Sequence, residues 1–229
     1  MKTEEHQPEN STMAEPTAIQ ATRYPIAYFP PIAYMASLVA QSDAVLELHE
    51  TFPKQTLRNR TVIVTANGPM TLSVPVVRTN GNHTISGDIE IAYTERWNTL
   101  HLRAIETAYN SSPFYLYYCD KIIDILNRRY QYLWELDEAC LLFLLKALKA
   151  DVAINYSTDY LAAENTPSDH RGDFSYKHPD ETIVFPEYQQ VFADRMDFNP
   201  NVSCLDLLFN LGPEASDYLR LLAAKNHGL

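Results

Sequence analysis

Lys54, Arg58 and Arg60 crowd into one stretch, E-T-F-P-K-Q-T-L-R-N-R from Glu50 to Arg60, in a 229-residue chain whose formal net charge is -11. Such a local reversal of sign is what an anion site needs. Guanidinium forks match phosphate or carboxylate, and Lys54 would add a point charge. In an extended segment Arg58 and Arg60 point to one face and Asn59 to the other, because side chains alternate with a period of two. The structural alternative is internal pairing with some of the 29 acids, since buried arginines are usually paired.

His101 is the second candidate. From Thr94 onward Trp97, Leu100, His101, Ala104, Ile105 and Ala108 fall at the spacing of one helical face, which puts His101 on the inward stripe, with Thr94 as a possible cap. Imidazole titrates near neutral pH and there could deprotonate an attacking amine or hydroxyl; the alternative is a satisfied core histidine. Asp206 and Asn210 are four residues apart on a predicted helix and share a face. Asp206 could orient His101 or hold a sugar hydroxyl, whereas Asn210 could equally tie down the turn at Gly212.

Other chemistries find little purchase. Cys119, Cys140 and Cys204 are widely spaced among apolar residues and read as reduced core thiols. There is no H-x-x-x-H or Cys-x-x-Cys set, so no metal is expected. Asp169, His170, Asp173 and His178 read first as a solvated face. No glycine-rich phosphate loop exists, with only 6 glycines in the chain, and no cofactor is expected. The acidic balance argues against nucleic acid as a partner.

The elements that must position these residues start after a polar tail at 1–18, read as disordered, and form a single domain over 19–229. An apolar strand from Tyr24 runs to Pro30 and Pro31, a helix carries Ile32, Met35 and Leu38 on one face, and Ala44 to His49 forms a second strand, parallel to the first if both share a sheet. Two β-rich runs, Arg60 to Thr65 and Met70 to Val77, flank Asn67-Gly68, a strong hairpin signal. Another strand is expected at Asp88 to Ala92, then helices from Thr94, from near Phe114 to about Arg129 and from about Glu135 to Lys149. A further strand at Asp151 to Tyr156, a long loop at 165–182 and two short helices around Gly212 and Pro213 complete the chain. The fold class is α/β: a mixed β-sheet that starts with a β-α-β unit and a hairpin, packed by a group of helices. With 46% hydrophobic residues the core is ample, and no apolar run approaches the ~20 residues of a membrane span. With no secretory signal at the N-terminus either, a cytoplasmic protein is expected.

Four blocks together are specific: Y-F-P-P-I-A-Y-M at 28–35, H-E-T-F-P-K-Q-T-L-R-N-R at 49–60, W-N-T-L-H-L-R-A-I-E-T-A-Y-N-S-S-P-F at 97–114 and V-S-C-L-D-L-L-F-N-L-G-P-E-A at 202–215. Through them the chain from about Ala21 to Leu222 resembles the WbqC-like protein family, and most of all its Bacteroides-type branch. The resemblance implies an association with O-antigen and other surface-polysaccharide gene clusters. Tyr24, Pro25 and Ile26 stand where many members have a His-Gln-Pro block, and Leu48 and His49 where members often carry an acidic pair.

Two functions follow as expectations. The first is a cytoplasmic transferase moving an acyl, aminoacyl or similar group onto a sugar or nucleotide sugar. In it Lys54, Arg58, Asn59 and Arg60 bind the anionic part of a substrate such as a nucleotide sugar or acyl-CoA, with Asn210 beside them. His101 takes the proton, Asp206 orients it, and Tyr28, Trp97 and Tyr109 offer ring surfaces. The second is a non-catalytic binding or scaffolding member, which the departures from the family pattern favour. An enzyme should bring Arg58, Arg60, His101 and Asp206 to one open pocket; a scaffold should bury each with its own partner. Oligomeric state is left open.

Overall fold

The structure, a computed structural model, describes residues 22–160, 162, 168–176 and 180–226, so the tail at 1–18 and His178 lie outside the described residues. In chain order the elements are β1 (Thr22–Pro25), α1 (Ile32–Val39), β2 (Asp43–Glu47), β3 (Arg60–Thr65), β4 (Gly68–Ser73), β5 (Val76–Arg78) and β6 (Ile89–Ile91). There follow α2 (Trp97–Tyr109), α3 (Tyr115–Asn127), α4 (Leu133–Ala147), β7 (Ala153–Tyr156), α5 (Cys204–Leu211) and α6 (Ala215–Lys225).

The expected β-α-β start is present. β1 and β2 run parallel with Tyr24 opposite Leu46, and β7 joins the other side of β2, also parallel, to give the order β1-β2-β7. Parallel strands need cover on their faces, and α1 supplies it with every residue from Ile32 to Leu38 buried. Pro31 sits at the N-cap of α1, one place before the helix proper, where its missing N–H leaves no helical acceptor unmet.

The remaining strands make two separate antiparallel pairs, β3 with β4 and β5 with β6. The hairpin lies where Asn67-Gly68 predicts it, shifted by one residue. Thr65 pairs with Gly68 across Ala66 and Asn67, and Gly68 takes φ 102°, which a side chain would resist. Thr65 Oγ1 donates to Gly68 O at 2.8 Å and closes the turn.

α2 buries Trp97, His101, Ile105, Ala108 and Tyr109, but Leu100 of the expected stripe is 59% exposed. The inward stripe is therefore narrower than the sequence spacing suggests and slides toward Tyr109. Arg96, not Thr94, occupies the N-cap. α4 starts with Glu135 reaching back to the backbone N–H groups of Gln131 and Tyr132, each at 3.0 Å, which satisfies donors the first turn leaves over.

α5 ends at Gly212, whose φ of 55° reverses the chain into α6. A Cβ there would lie 2.5 Å from Phe114 Cδ1, against a ring held by the Phe114 N to Phe209 O bond of 3.0 Å. Gly212→Ala should thus suffer both a left-handed backbone and a clash, losing roughly 2–4 kcal/mol. Gly68→Ala, with open space around it, should lose about 1 kcal/mol. Urea midpoints of the two variants check the order; equal losses would mean the Phe114 ring yields freely.

Candidate functional site

His101 and Asp206 are both buried, and each is taken up by different neighbours. His101 Nδ1 lies 2.9 Å from the Tyr28 hydroxyl, and the Trp97 ring meets the imidazole edge to face at 5.2 Å. Burial pushes the imidazole down to about 4, with hydrogen bonding to the Ser73 backbone offsetting part of the effect. Asp206 accepts from Tyr188 Oη at 2.6 Å, Tyr109 Oη at 2.9 Å, Gln190 Nε2 at 2.9 Å and Asn210 Nδ2 at 3.4 Å. Burial raises its carboxyl above the usual range while those four donors oppose the rise. Asn210 donates to Asp206 O at 2.8 Å, a bond back along its own helix. Tyr28, Trp97 and Tyr109 are core residues at 0%, 4% and 0% exposure, held inward by β1's continuation and the buried stripe of α2.

The cationic stretch does not run extended as its sequence suggests. Residues 54–59 form a stack of turns, with Gln55 at φ 59°, and only Arg60 opens the strand. Arg58 and Arg60 consequently face different neighbours. Arg58 is buried and bonds Glu50 Oε1 through Nε at 2.6 Å and Nη2 at 2.5 Å, with Nη2 also donating to Arg171 O at 3.3 Å. Asn59 Nδ2 donates to Val74 O at 3.1 Å and fixes the exit of β4. The Arg60 side chain has no hydrogen bond or ion pair among the described residues, and its Nε is fully buried without a partner.

Behind the arginines lies a charge network that one sequence does not reveal. Glu47, the last residue of β2, is fully buried. It accepts from Ser157 Oγ at 2.8 Å, His49 N at 2.8 Å and Arg171 Nη1 at 3.4 Å, with Arg23 Nη1 3.7 Å away. Arg171 in turn grips Asp169 through Nε at 2.8 Å and Nη2 at 2.5 Å. Segment 168–170 adds to the free edge of β1, with Arg23 N donating to Ser168 O at 2.8 Å and His170 N to Arg23 O at 2.9 Å. Of the polar run read as a solvated face, Asp169 and His170 turn inward, whereas Asp173 is exposed as expected. His170 is 4% exposed and bonds Asp173 at 2.8 Å, because the strand ends supply the partners that water would otherwise provide.

This network stands at the carboxyl ends of the parallel strands, where ligands of open α/β sheets bind. Two clefts open beside it. One, of about 390 Å³, is lined by Glu50, Lys54, Thr56, Arg58, Arg171 and Asp173. The other, of about 440 Å³, is lined by Arg60, Val62, Thr71, Asn199 and Asn201. Gln55, Ser175 and Tyr176 belong to both, so the clefts adjoin. The positive φ of 59° at both Gln55 and Phe174 marks the two segments that bound them, and such strain in non-glycine residues gathers at ligand sites. Of the sequence candidates the structure brings Lys54, Arg58 and Arg60 to these clefts; His101, Asp206, Asn210 and the three aromatic rings do not line them. Glu50, Arg171 and Tyr176 are the lining residues that spacing does not single out.

Two variants separate the arginines. Arg58→Gln leaves Glu50 buried without its cation and should lose about 3 kcal/mol, while Arg60→Gln breaks no bond and should change stability by less than about 1 kcal/mol in urea unfolding. His101 gives a pH signature. Its folded value of about 4 lies below the unfolded 6.5, so the unfolded chain binds the proton first and stability falls as pH drops from 6.5 to 4. His101→Gln should remove on the order of 3 kcal/mol from that fall. A pH profile of unfolding free energy that is the same in both proteins would place the histidine in water.

Comparison with known proteins agrees with three of the four blocks in the sequence, those at 28–35, 49–60 and 97–114. A curated relative, Uncharacterized protein Rv1507c of Mycobacterium tuberculosis (strain ATCC 25618 / H37Rv), is 26% identical over 221 residues, covering 84% of this chain and 91% of its own. No solved structure gives a significant match. The model of the WbqC-like protein family matches residues 26–177, a span that holds the Arg58-Asn59-Arg60 block, His101, Glu47, Glu50, Arg171 and Tyr176 and leaves Asp206 and Asn210 beyond it. With well over half of its length inside that match, the chain belongs to the WbqC-like protein family.

Proposed function

We propose that this protein binds an anionic small molecule, of the nucleotide-sugar or sugar-phosphate kind, in the adjoining clefts, and serves surface-polysaccharide biosynthesis in the cytoplasm as a binding member of that machinery. The observation that carries the reading is Arg60: a guanidinium without a partner among the described residues, its Nε buried, on the wall of a cleft. A buried guanidinium nitrogen is ordinarily paired, so an unpaired one on a half-buried side chain beside open space is best explained by an acceptor that arrives from outside. Lys54, exposed at the mouth of the neighbouring cleft, adds attraction in a chain that is otherwise acidic. The cleft volumes lie within the range of small-molecule sites.

His101 and Asp206 support binding more than chemistry. A base that titrates near 4 takes protons weakly at neutral pH, and Asp206 already accepts from four donors. We assign both to positioning: His101 steadies Tyr28 under the first strand, and Asp206 ties Tyr109, Tyr188 and Gln190 to α5. Group transfer, the second reading, would draw its acid or base from the clefts themselves. Glu50 is the residue that favours it, since burial raises its carboxyl above the usual range at a cleft wall.

A thermal-shift screen against nucleotide sugars, acyl-CoAs and sugar phosphates tests the binding reading, because a ligand that binds only the folded state raises its apparent stability. We expect a phosphorylated sugar or nucleotide sugar to raise Tm by several degrees in the wild type and by none in Arg60→Gln. A hit retained in full by Arg60→Gln would move the site elsewhere.

A further inference from the structure

Arg60 has a counterpart of opposite sense in the neighbouring cleft. Both bonds from Arg58 to Glu50 end on Oε1, and Oε2 receives no hydrogen bond among the described residues. A carboxylate offers about four lone-pair sites, and a side chain only 14% exposed would ordinarily have both oxygens met. The two clefts share Gln55, Ser175 and Tyr176, so an unmet donor and an unmet acceptor stand along one groove.

Resting on the anion reading above, we infer that the ligand is zwitterionic: an anionic group seated on Arg60 and a primary ammonium seated on Glu50 Oε2, as in an amino-sugar phosphate. The ammonium is favoured over a neutral hydroxyl by what surrounds Glu50. Arg58 compensates one oxygen, the opposing influences of Glu47 and Arg171 act on Glu50 from behind, and Asp173 puts a second carboxylate on the same cleft wall. A cationic donor makes a charge-assisted bond to Oε2, roughly twice as strong as the neutral bond a hydroxyl would make. Tyr176, common to both clefts, lies between the two ends where the body of the ligand would rest.

Titration calorimetry on the full chain decides it with three probes: glucosamine 6-phosphate, glucose 6-phosphate and N-acetylglucosamine 6-phosphate. The wild type should bind the first at least 10-fold more tightly than the other two, as one charge-assisted bond supplies. Glu50→Gln should level the three affinities while keeping phosphate binding, and Arg60→Gln should weaken all of them. Equal binding of the three by the wild type would overturn the ammonium site and leave the anion site standing. Absence of binding by any of them, with inorganic phosphate also silent, would overturn both. The wild-type comparison stands even if Glu50→Gln, with Arg58 left beside a neutral partner, loses too much stability to be measured.

Discussion

The buried carboxylate of Glu47 at the end of β2 is the constraint on which the functional end of this protein depends. A charge with no exposure must be compensated, and here the compensation comes from far along the chain: Ser157 just past β7, Arg23 in β1, and Arg171 within the long loop. Each partner ties a different piece of backbone to the same strand end. Segment 168–176 is thereby drawn across the carboxyl ends of the parallel strands. Without that bridge neither cleft would have its second wall.

The other wall follows from the same logic. Arg58 is pinned by Glu50 and by the Arg171 carbonyl, so the turn at 54–59 is folded down against the bridge while Arg60 leaves it to begin β3. Two arginines separated by one residue therefore play different parts. Arg58 is structural, already neutralised and already bonded; Arg60 is poised, with its valences unspent. The left-handed conformations of Gln55 and Phe174, held in place by these ion pairs, are the strain that goes with holding two loops face to face.

Much of the fold was legible in the sequence because it rests on short-range rules. Apolar runs, the helical stripe through His101, the Asn67-Gly68 turn and the Gly212-Pro213 break each report a local preference, and the structure honours them within a few residues. The parallel start also follows, since a strand, a helix and a strand in succession leave few alternatives. The cationic stretch was legible as a site region, yet its geometry was not. Alternation assumes an extended chain, and the Glu50–Arg58 pair bends it. Glu47 and Arg171 were beyond reach, because what makes them important is a contact between residues more than a hundred positions apart. Asp169 and His170 looked solvated for the same reason: the β1 edge that takes up their backbone, and the Glu47 carboxylate beside Arg171, lie on strands that a linear reading cannot place beside them. His101 illustrates the converse, since its helical face was read correctly while the depth of burial that lowers its basicity belongs to the whole core.

The central claim is that Arg60 awaits an anion from outside the chain. It is tested most directly by a crystal structure of the protein soaked in tungstate, a phosphate-shaped anion that anomalous scattering locates without bias. We predict a peak at hydrogen-bonding distance, about 3 Å, from the Arg60 guanidinium, in the cleft bounded by Tyr176 and Asn201. A cleft empty of tungstate, with Arg60 turned onto a carboxylate of the protein itself, would contradict the account.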